Sequence, residues 1–351
     1  MPVSVCAAFE VHRLSILAPD GSIDEALMPP LPDGDIRRLY ELMVLTRTFD
    51  QRAIALQREG RLGTYPPSLG QEAAQVGSAF ALQPGDWLFP SFREMGVQLT
   101  SGYPINQIFQ YWNGDERGQQ SPPSLNIFPV CVSVGTHIPH AVGVAMAARY
   151  RHDPIAVAAW FGDGATSKGD FHEGFNMAGV YRLPLVFICQ NNQWAISVPL
   201  SGQTAAATLA QKALAYGFEG VRVDGNDVFA VYKATRDAVQ KARSGGGPTF
   251  IECLTYRVAD HTTSDDAGRY RSAEEVAVWS ALDPLLRLER YMEIRELWNE
   301  TYATKTRQQA TDDIDAAIAV MESAESPDPD DMFRQTLSLP GQRQSAQRKG
   351  I

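Results

Sequence analysis

Residues 162–192 read GDGATSKGDFHEGFNMAGVYRLPLVFICQNN: a glycine-flanked aspartate, then a crossover's length of chain, then two asparagines. Ile155–Phe161, just ahead, is an apolar run of strand length; Asp170–Tyr181 has helical character, and Leu185–Cys189 is a second apolar run. Strand, helix and strand in that order make a βαβ unit, and its parallel strands bring Gly162-Asp163-Gly164 and Asn191-Asn192 out on one carboxyl edge, where open α/β folds bind ligands. An Asp carboxylate and an Asn amide oxygen are hard donors suited to Mg²⁺, which keeps waters and binds phosphate oxygens, and the flanking glycines let backbone approach a phosphate closely.

Three other readings fail on the letters. A dinucleotide fingerprint needs a third glycine where Ser167 stands, and an acid where Gln190-Asn191-Asn192 stand. An EF-hand fails because Lys168 takes the obligatory glycine position and Gly174 the bidentate glutamate position. A P-loop lacks its GK[ST]. Two unrelated turns remain the plain alternative, but the pair at βαβ spacing is more specific than either turn alone.

Outward from this unit, Gly220–Val223 reads as a strand, Asp227–Arg243 as a helix stopped at Gly245, and Thr249–Val258 as a strand. Upstream, Asp35 is expected to cap a helix in which Ile36, Leu39, Tyr40 and Met43 share a face, with Gly60 as its stop. Gln71–Leu82 reads as a small-residue helix broken by Pro84-Gly85-Asp86, Gly118–Pro129 as a loop, and His137–Tyr150 as a helix packed closely on a sheet. The expected class is α/β: a mostly parallel sheet covered by helices on both faces, with an N-terminal extension (1–34), an α/β domain (35–270) and a charged helical C-terminal region (271–351). The polar Pro340–Ile351 tail is expected to be flexible.

Composition bounds the rest. The 351 residues are 44% hydrophobic and 21% charged, which excludes a disordered or fibrous chain. A formal net charge of −10 argues against a general nucleic-acid binder, and no apolar run approaches the ~20 residues of a membrane span. Met1–Leu17 lacks the pattern of a secretory signal. Cys6, Cys131, Cys189 and Cys253 are far apart, so neither a zinc knuckle nor a disulfide framework is expected, and a reducing cytoplasm is the natural compartment. His137 and His140 offer HxxH without further clustered ligands, and no zinc site is expected there.

The stretch quoted first resembles the thiamine-diphosphate motif, GDG followed within about 30 residues by NN. More closely, the chain resembles the α subunit of the decarboxylating component of 2-oxo acid dehydrogenase complexes, from Leu39 to Arg271, including GRLGTYPPSLGQEAAQVGSAFAL and YRVADHTTSDDAGRYR. The resemblance implies a thiamine-diphosphate-binding fold. It implies that Asp163 and Asn192 bind Mg²⁺ by side chain and Trp194 by its carbonyl, where relatives usually carry Tyr or Phe. Gly164 and Ala165 would contact the diphosphate through their amides, and Arg93 would hold it, with Phe92 alongside. Val132 and Val134 would touch the aminopyrimidine; for both, apolar core packing is the other reading. His261 matches an active-site histidine that hydrogen-bonds the substrate carboxylate or intermediate and assists acyl transfer, and the adjacent Asp260 is expected to raise its pKa. Thr262 stands nearest the serine that mitochondrial relatives phosphorylate. Asp170 and Glu173 spell D-x-x-E, close to a capping box, while in Gram-positive relatives the matching acids line a proton-relay tunnel between two cofactors.

Thiamine chemistry also needs a carboxylate against the aminopyrimidine ring, and the residues after Tyr270 cannot build the second α/β domain that carries it in single-chain relatives. The resemblance therefore implies a separate β subunit, an α₂β₂ assembly with the cofactor between subunits, no activity of this chain alone, and acyl transfer to the lipoyl group of an acyltransferase component. For substrate, the N-terminal extension and GQQSPPSLNIFP resemble pyruvate-type bacterial α subunits, whereas RVDGNDVFAVYKAT and HTTSDD read like branched-chain ones. Pyruvate is the expected 2-oxo acid, with branched-chain 2-oxo acids and acetoin as alternatives; a non-catalytic Mg²⁺/diphosphate-binding scaffold subunit is the alternative outside catalysis.

Overall fold

The computed structural model describes residues 3–334, 337–339 and 341–349. Its strands are β1 (His12–Leu14), β2 (Trp87–Phe89), β3 (Val157–Gly162), β4 (Leu185–Asn191), β5 (Trp194–Ala195), β6 (Val198–Pro199), β7 (Glu219–Asp224) and β8 (Thr249–Leu254). Six of them form one sheet in the order β1-β7-β8-β4-β3-β2, every neighbouring pair parallel, while β5 and β6 make a small antiparallel hairpin.

Successive side chains of a strand face opposite ways, so a parallel sheet buried on both sides must be apolar throughout. The central strands meet that demand. Ala158 and Trp160 of β3, Val186 and Ile188 of β4, and Ile251 of β8 enter one core; Val157, Ala159, Phe161, Leu185, Phe187 and Phe250 enter the other. The first core is closed by α1 (Asp33–Arg58), α2 (Glu72–Phe80), α3 (Met95–Thr100) and α4 (Ile105–Trp112). The second is closed by α5 (His137–Arg151) and α6 (Gly169–Val180). The short α7 (Leu200–Gln203) follows the hairpin; α8 (Val228–Arg243) returns to the first face, and α9 (Ala273–Ser280), α10 (Pro284–Ile294) and α11 (Glu300–Glu322) complete the covering, α11 lying on α1 and α4. The helical character expected after Tyr270 is thus present. Among the described residues no helix is long and apolar enough to cross a membrane.

Several local expectations are corrected. Asp35 does not cap α1: the helix starts at Asp33 with Pro32 before it, leaving Asp33 and Asp35 in the first turn, where their charges suit the dipole. Gly60 does close it, at φ +74°. Gln71 flanks α2 instead of opening it, and β8 stops at Leu254, four residues short of the expected end, because beyond it β4 has run out of chain to pair. The expected loop 118–129 begins inside a 3₁₀ turn, Glu116–Gln119, and its Ile127 bridges to Leu88 at the sheet edge. In the polar tail Gln342–Arg348 is helical, while Pro340, Gly350 and Ile351 lie outside the described residues.

Both edge strands of the sheet, β2 and the N-terminal β1, went unannounced by the sequence. Three apolar-polar residues are too short to show a period, and β1 is held by a distant group. Asp227 caps α8 by accepting from Phe229 N (3.1 Å) and Ala230 N (3.0 Å) through Oδ1, and its Oδ2 accepts from Ile16 N (2.5 Å) and Leu17 N (2.7 Å). Asp227→Ala leaves four backbone N–H groups without this acceptor, and we expect unfolding free energy to fall by about 3 kcal/mol. Urea denaturation checks this; a loss below about 1 kcal/mol would show that the anchor is dispensable.

Candidate active site

The carboxyl ends of β3 and β4 open into a cavity of about 670 Å³. All ten residues expected to bind the cofactor line it: Phe92, Arg93, Val132, Val134, Asp163, Gly164, Ala165, Asn192, Trp194 and His261. They come from five separate stretches of chain, and the two that follow β3 and β4 meet because those strands end in register, Gly162 opposite Gln190.

At one end stand the oxygen donors. Asp163 is 1% exposed, and burial raises the pKa of its carboxyl; its side-chain partner is Gln203 on α7, which donates Nε2 to Oδ2 at 2.6 Å. Asn192 Oδ1 accepts weakly from Trp194 N (3.3 Å), and the Trp194 carbonyl accepts from Arg257 Nη1 (3.2 Å). Gly164 lets the β5–β6 hairpin lie close, since a Cβ there would meet that of Ala195 at 3.0 Å. These residues fit a magnesium diphosphate. A buried carboxylate with a neutral partner is costly without a cation, an amide oxygen and a carbonyl complete a hard-oxygen set, and the buried Gln71 Nε2 beside them has no hydrogen-bond partner. Among the described residues no group of three or more His, Cys, Asp or Glu converges; His137 Nε2 meets the Trp160 carbonyl (2.7 Å) and His140 Nδ1 that of Thr136 (2.9 Å).

At the other end stand the cations. Arg93 is buried, donates Nη1 to the Pro67 carbonyl (2.6 Å) and Nη2 to the His261 carbonyl (3.0 Å), and its pKa is lowered to about 10 by burial and by Arg257. The same Nη2 lies 3.0 Å from His261 Nδ1, and Arg257 Nη1 lies 3.4 Å from it. A guanidinium only donates, so Nδ1 is the acceptor and the ring proton sits on Nε2. Phe92 meets the imidazole edge-on, with centroids 6.0 Å apart. The expected influence of Asp260 is overturned: its carboxylate turns away to accept from Ala267 N (2.9 Å), and burial together with Arg93 and Arg257 lowers the imidazole pKa to about 4.

Val132 and Val134 are 56% and 41% exposed at the cavity mouth, so core packing is not their role. Asp170 and Glu173 do not line the cavity. Nor do they form a capping box, because α6 begins at Gly169 after Lys168 and has no side-chain cap. Reasoning from the sequence missed Gln71, Glu94, Lys168 and Gln190 on the wall, and Trp112 and Ile196 beside them. Glu94 is pushed up to about 7 by burial, while accepting from Gln190 Nε2 (2.5 Å) and Arg93 N (3.2 Å). Its adjacency to Arg93 and the adjacency of Gln190 to Asn191 were the available signals.

Comparison with known proteins agrees with this geometry. A family model described as "Dehydrogenase E1 component" matches residues 40–330. The chain is 46% identical over 301 residues, 85% of its length, to the 3-methyl-2-oxobutanoate dehydrogenase subunit alpha of Mycobacterium tuberculosis (strain ATCC 25618 / H37Rv), of which the match covers 82%. It is 42% identical over 316 residues, 90% of its length, to the pyruvate dehydrogenase E1 component subunit alpha of Staphylococcus aureus (strain Mu50 / ATCC 700699), of which 85% is covered.

The unfolded imidazole takes its proton near pH 6.5 and the folded one near 4, so between those values the unfolded chain binds more protons. The contribution of His261 to stability is therefore full above pH 6.5 and lost as pH falls toward 4. In histidine-labelled protein free of ligands, NMR should show a neutral ring at pH 6, assigned by its loss in His261→Gln; an imidazolium there would contradict this placement.

Proposed function

From the premise that this chain belongs to the dehydrogenase E1 component family, as an α subunit of a thiamine-diphosphate-dependent 2-oxo acid dehydrogenase, we propose that it serves a branched-chain 2-oxo acid and passes the acyl group to a lipoyl carrier. The observation that carries the reading is one cavity with hard oxygens at one end and the Arg93–His261 pair at the other.

Asp163, Asn192 and the Trp194 carbonyl would hold Mg²⁺; the Gly164 and Ala165 amides and Arg93 would hold the diphosphate; the backbone at Val132 and Val134 would meet the aminopyrimidine. Bound there, thiamine diphosphate supplies the electron sink for decarboxylation. His261, neutral and oriented by Arg93, keeps its ring N–H on Nε2, where it can donate a hydrogen bond to a substrate carboxylate or acyl oxygen.

The substrate reading departs from the sequence expectation of pyruvate for a spatial reason. No residue of the N-terminal extension or of 118–129 borders the cavity, so their pyruvate-like character says nothing about the acid bound. In HTTSDD, the branched-chain-like string, His261 and Thr262 do border it, and identity is higher to the branched-chain relative. Pyruvate is the second reading, favoured by the longer match to the Staphylococcus relative.

Glu94, the other carboxylate on the wall, is engaged by Gln190 and the Arg93 backbone, and Val132, Val134, Ile196 and Val198 leave an apolar rim exposed. Both features support a β subunit that covers the mouth and brings the missing carboxylate, in an α₂β₂ assembly working with an acyltransferase. The proposed compartment is the cytoplasm, in keeping with four unpaired cysteines.

The test is turnover of the chain copurified with its β partner, supplied with thiamine diphosphate, Mg²⁺ and an artificial acceptor. We expect kcat/KM for 3-methyl-2-oxobutanoate to exceed that for pyruvate by about 10-fold or more. The reverse order would name pyruvate; turnover of neither, with cofactor bound, would favour acetoin or a scaffold role. Asp163→Ala should weaken Mg²⁺-dependent cofactor binding by about 100-fold, and His261→Ala should slow lipoyl acylation by about 10² or more. Undiminished values would strike each residue from its role.

A further inference from the structure

Along the cavity wall runs a segment, Thr64–Gln71, that reaches both ends of the site. The Pro67 carbonyl accepts from Arg93 Nη1. Tyr65 exchanges two hydrogen bonds with Thr263, two residues past His261: its N donates to Thr263 Oγ1 (3.1 Å), and its carbonyl accepts from Thr263 N (2.9 Å). At the segment's end Gln71 Oε1 accepts from Asn192 Nδ2 (3.2 Å).

Nothing regular holds this stretch in place. Tyr65–Ser68 is neither helix nor strand, and Pro66 and Pro67 have no N–H to give. Its anchor is Asp50, in the middle of α1, fully buried and outside the cavity. Asp50 Oδ1 accepts from the Tyr65 hydroxyl; Oδ2 accepts from Ser68 N (2.7 Å) and Ser68 Oγ (3.0 Å). These three contacts straddle Pro67, the residue that Arg93 grips. A buried carboxyl is expensive to leave unpaired, and here all three of its directional hydrogen bonds go to one segment.

We propose that Asp50 is a positioning residue of this active site: through Tyr65 and Ser68 it fixes the Pro67 carbonyl that aims Arg93 and the Tyr65 backbone that aligns the His261 loop. The inference rests on the reading that this cavity binds thiamine diphosphate. A carboxylate that merely satisfies neighbouring donors would make the fold firmer and leave the site's affinities alone, whereas a positioning group governs both, because displacements of about 1 Å at reacting groups cost large factors in rate.

The test uses the copurified complex with Asp50→Asn, Tyr65→Phe and the double variant, reading the dissociation constant for thiamine diphosphate by tryptophan fluorescence, kcat and KM for the 2-oxo acid at saturating cofactor, and the thermal midpoint. Each single variant should weaken cofactor binding about 10-fold, at temperatures well below its midpoint, and lower kcat more than it raises KM. The double should lose less than the two singles combined, because both act on the one segment that carries Pro67 and the Thr263 contacts. A lowered midpoint with unchanged binding and kcat would overturn the proposal, as would fully additive losses. If Asp50→Asn fails to assemble, Tyr65→Phe decides by the same criteria, because it deletes one hydroxyl only. Wild type that binds no thiamine diphosphate would sink the functional reading and this inference together; wild type that binds and turns over beside indifferent variants sinks this inference alone.

Discussion

The oxygen-donor end of the site depends on the ladder between β3 and β4. Parallel strands in register end together, and this pair ends with Gly162 opposite Gln190. Asp163 and Asn192 are the groups just beyond. Neither has freedom to drift, because β3 and β4 are flanked by β2 and β8 and covered by two aromatic-rich cores. The register is itself set by burial: a one-residue slip would exchange Trp160 and Phe161 between cores shaped for one of them.

The second constraint is electrostatic. Arg93, Arg257 and the His261 ring crowd within hydrogen-bond reach, with Asp265 accepting from His261 N at 2.9 Å as a nearby carboxylate. Burial lowers the pKa of all three basic groups, reinforced by Arg257 at Arg93, by both arginines at His261, and by Arg271 at Arg257. Like charges held together out of water leave an unbalanced potential that an anion relieves. Opposite them, burial raises the pKa of the Asp163 carboxyl, a shift that a bound cation would ease. Each end of the cavity is strained in the sense that the other kind of ligand would ease.

How much of this was legible in the letters follows from range. The βαβ unit, the GDG and NN turns and the helix that Asp227 caps are local patterns, and they read correctly because a single stretch of chain holds each. The lining of the cavity by Arg93 and His261 was available only through family resemblance, since a lone Arg and a lone His carry no local signal. Three things were beyond reach. The pKa of His261 is set by burial and by Arg93, 168 residues away, and not by its neighbour Asp260. Gln71, Glu94 and Gln190 are ordinary polar letters until the fold buries them. β1 is three residues long and exists because β7 offers it an edge.

That edge strand has a bearing on how the chain is made. Leu17 and the carboxylate that holds it are 210 positions apart. On a ribosome, the amino end leaves first and then waits, unpaired, until β7 and the start of α8 have been synthesised; at ~5–20 residues per second that delay is on the order of ten seconds or more. β8 must then enter between β4 and β7, already emerged, before the sheet can close. β1, although translated before the rest of the sheet, can therefore pair only once β7 has emerged.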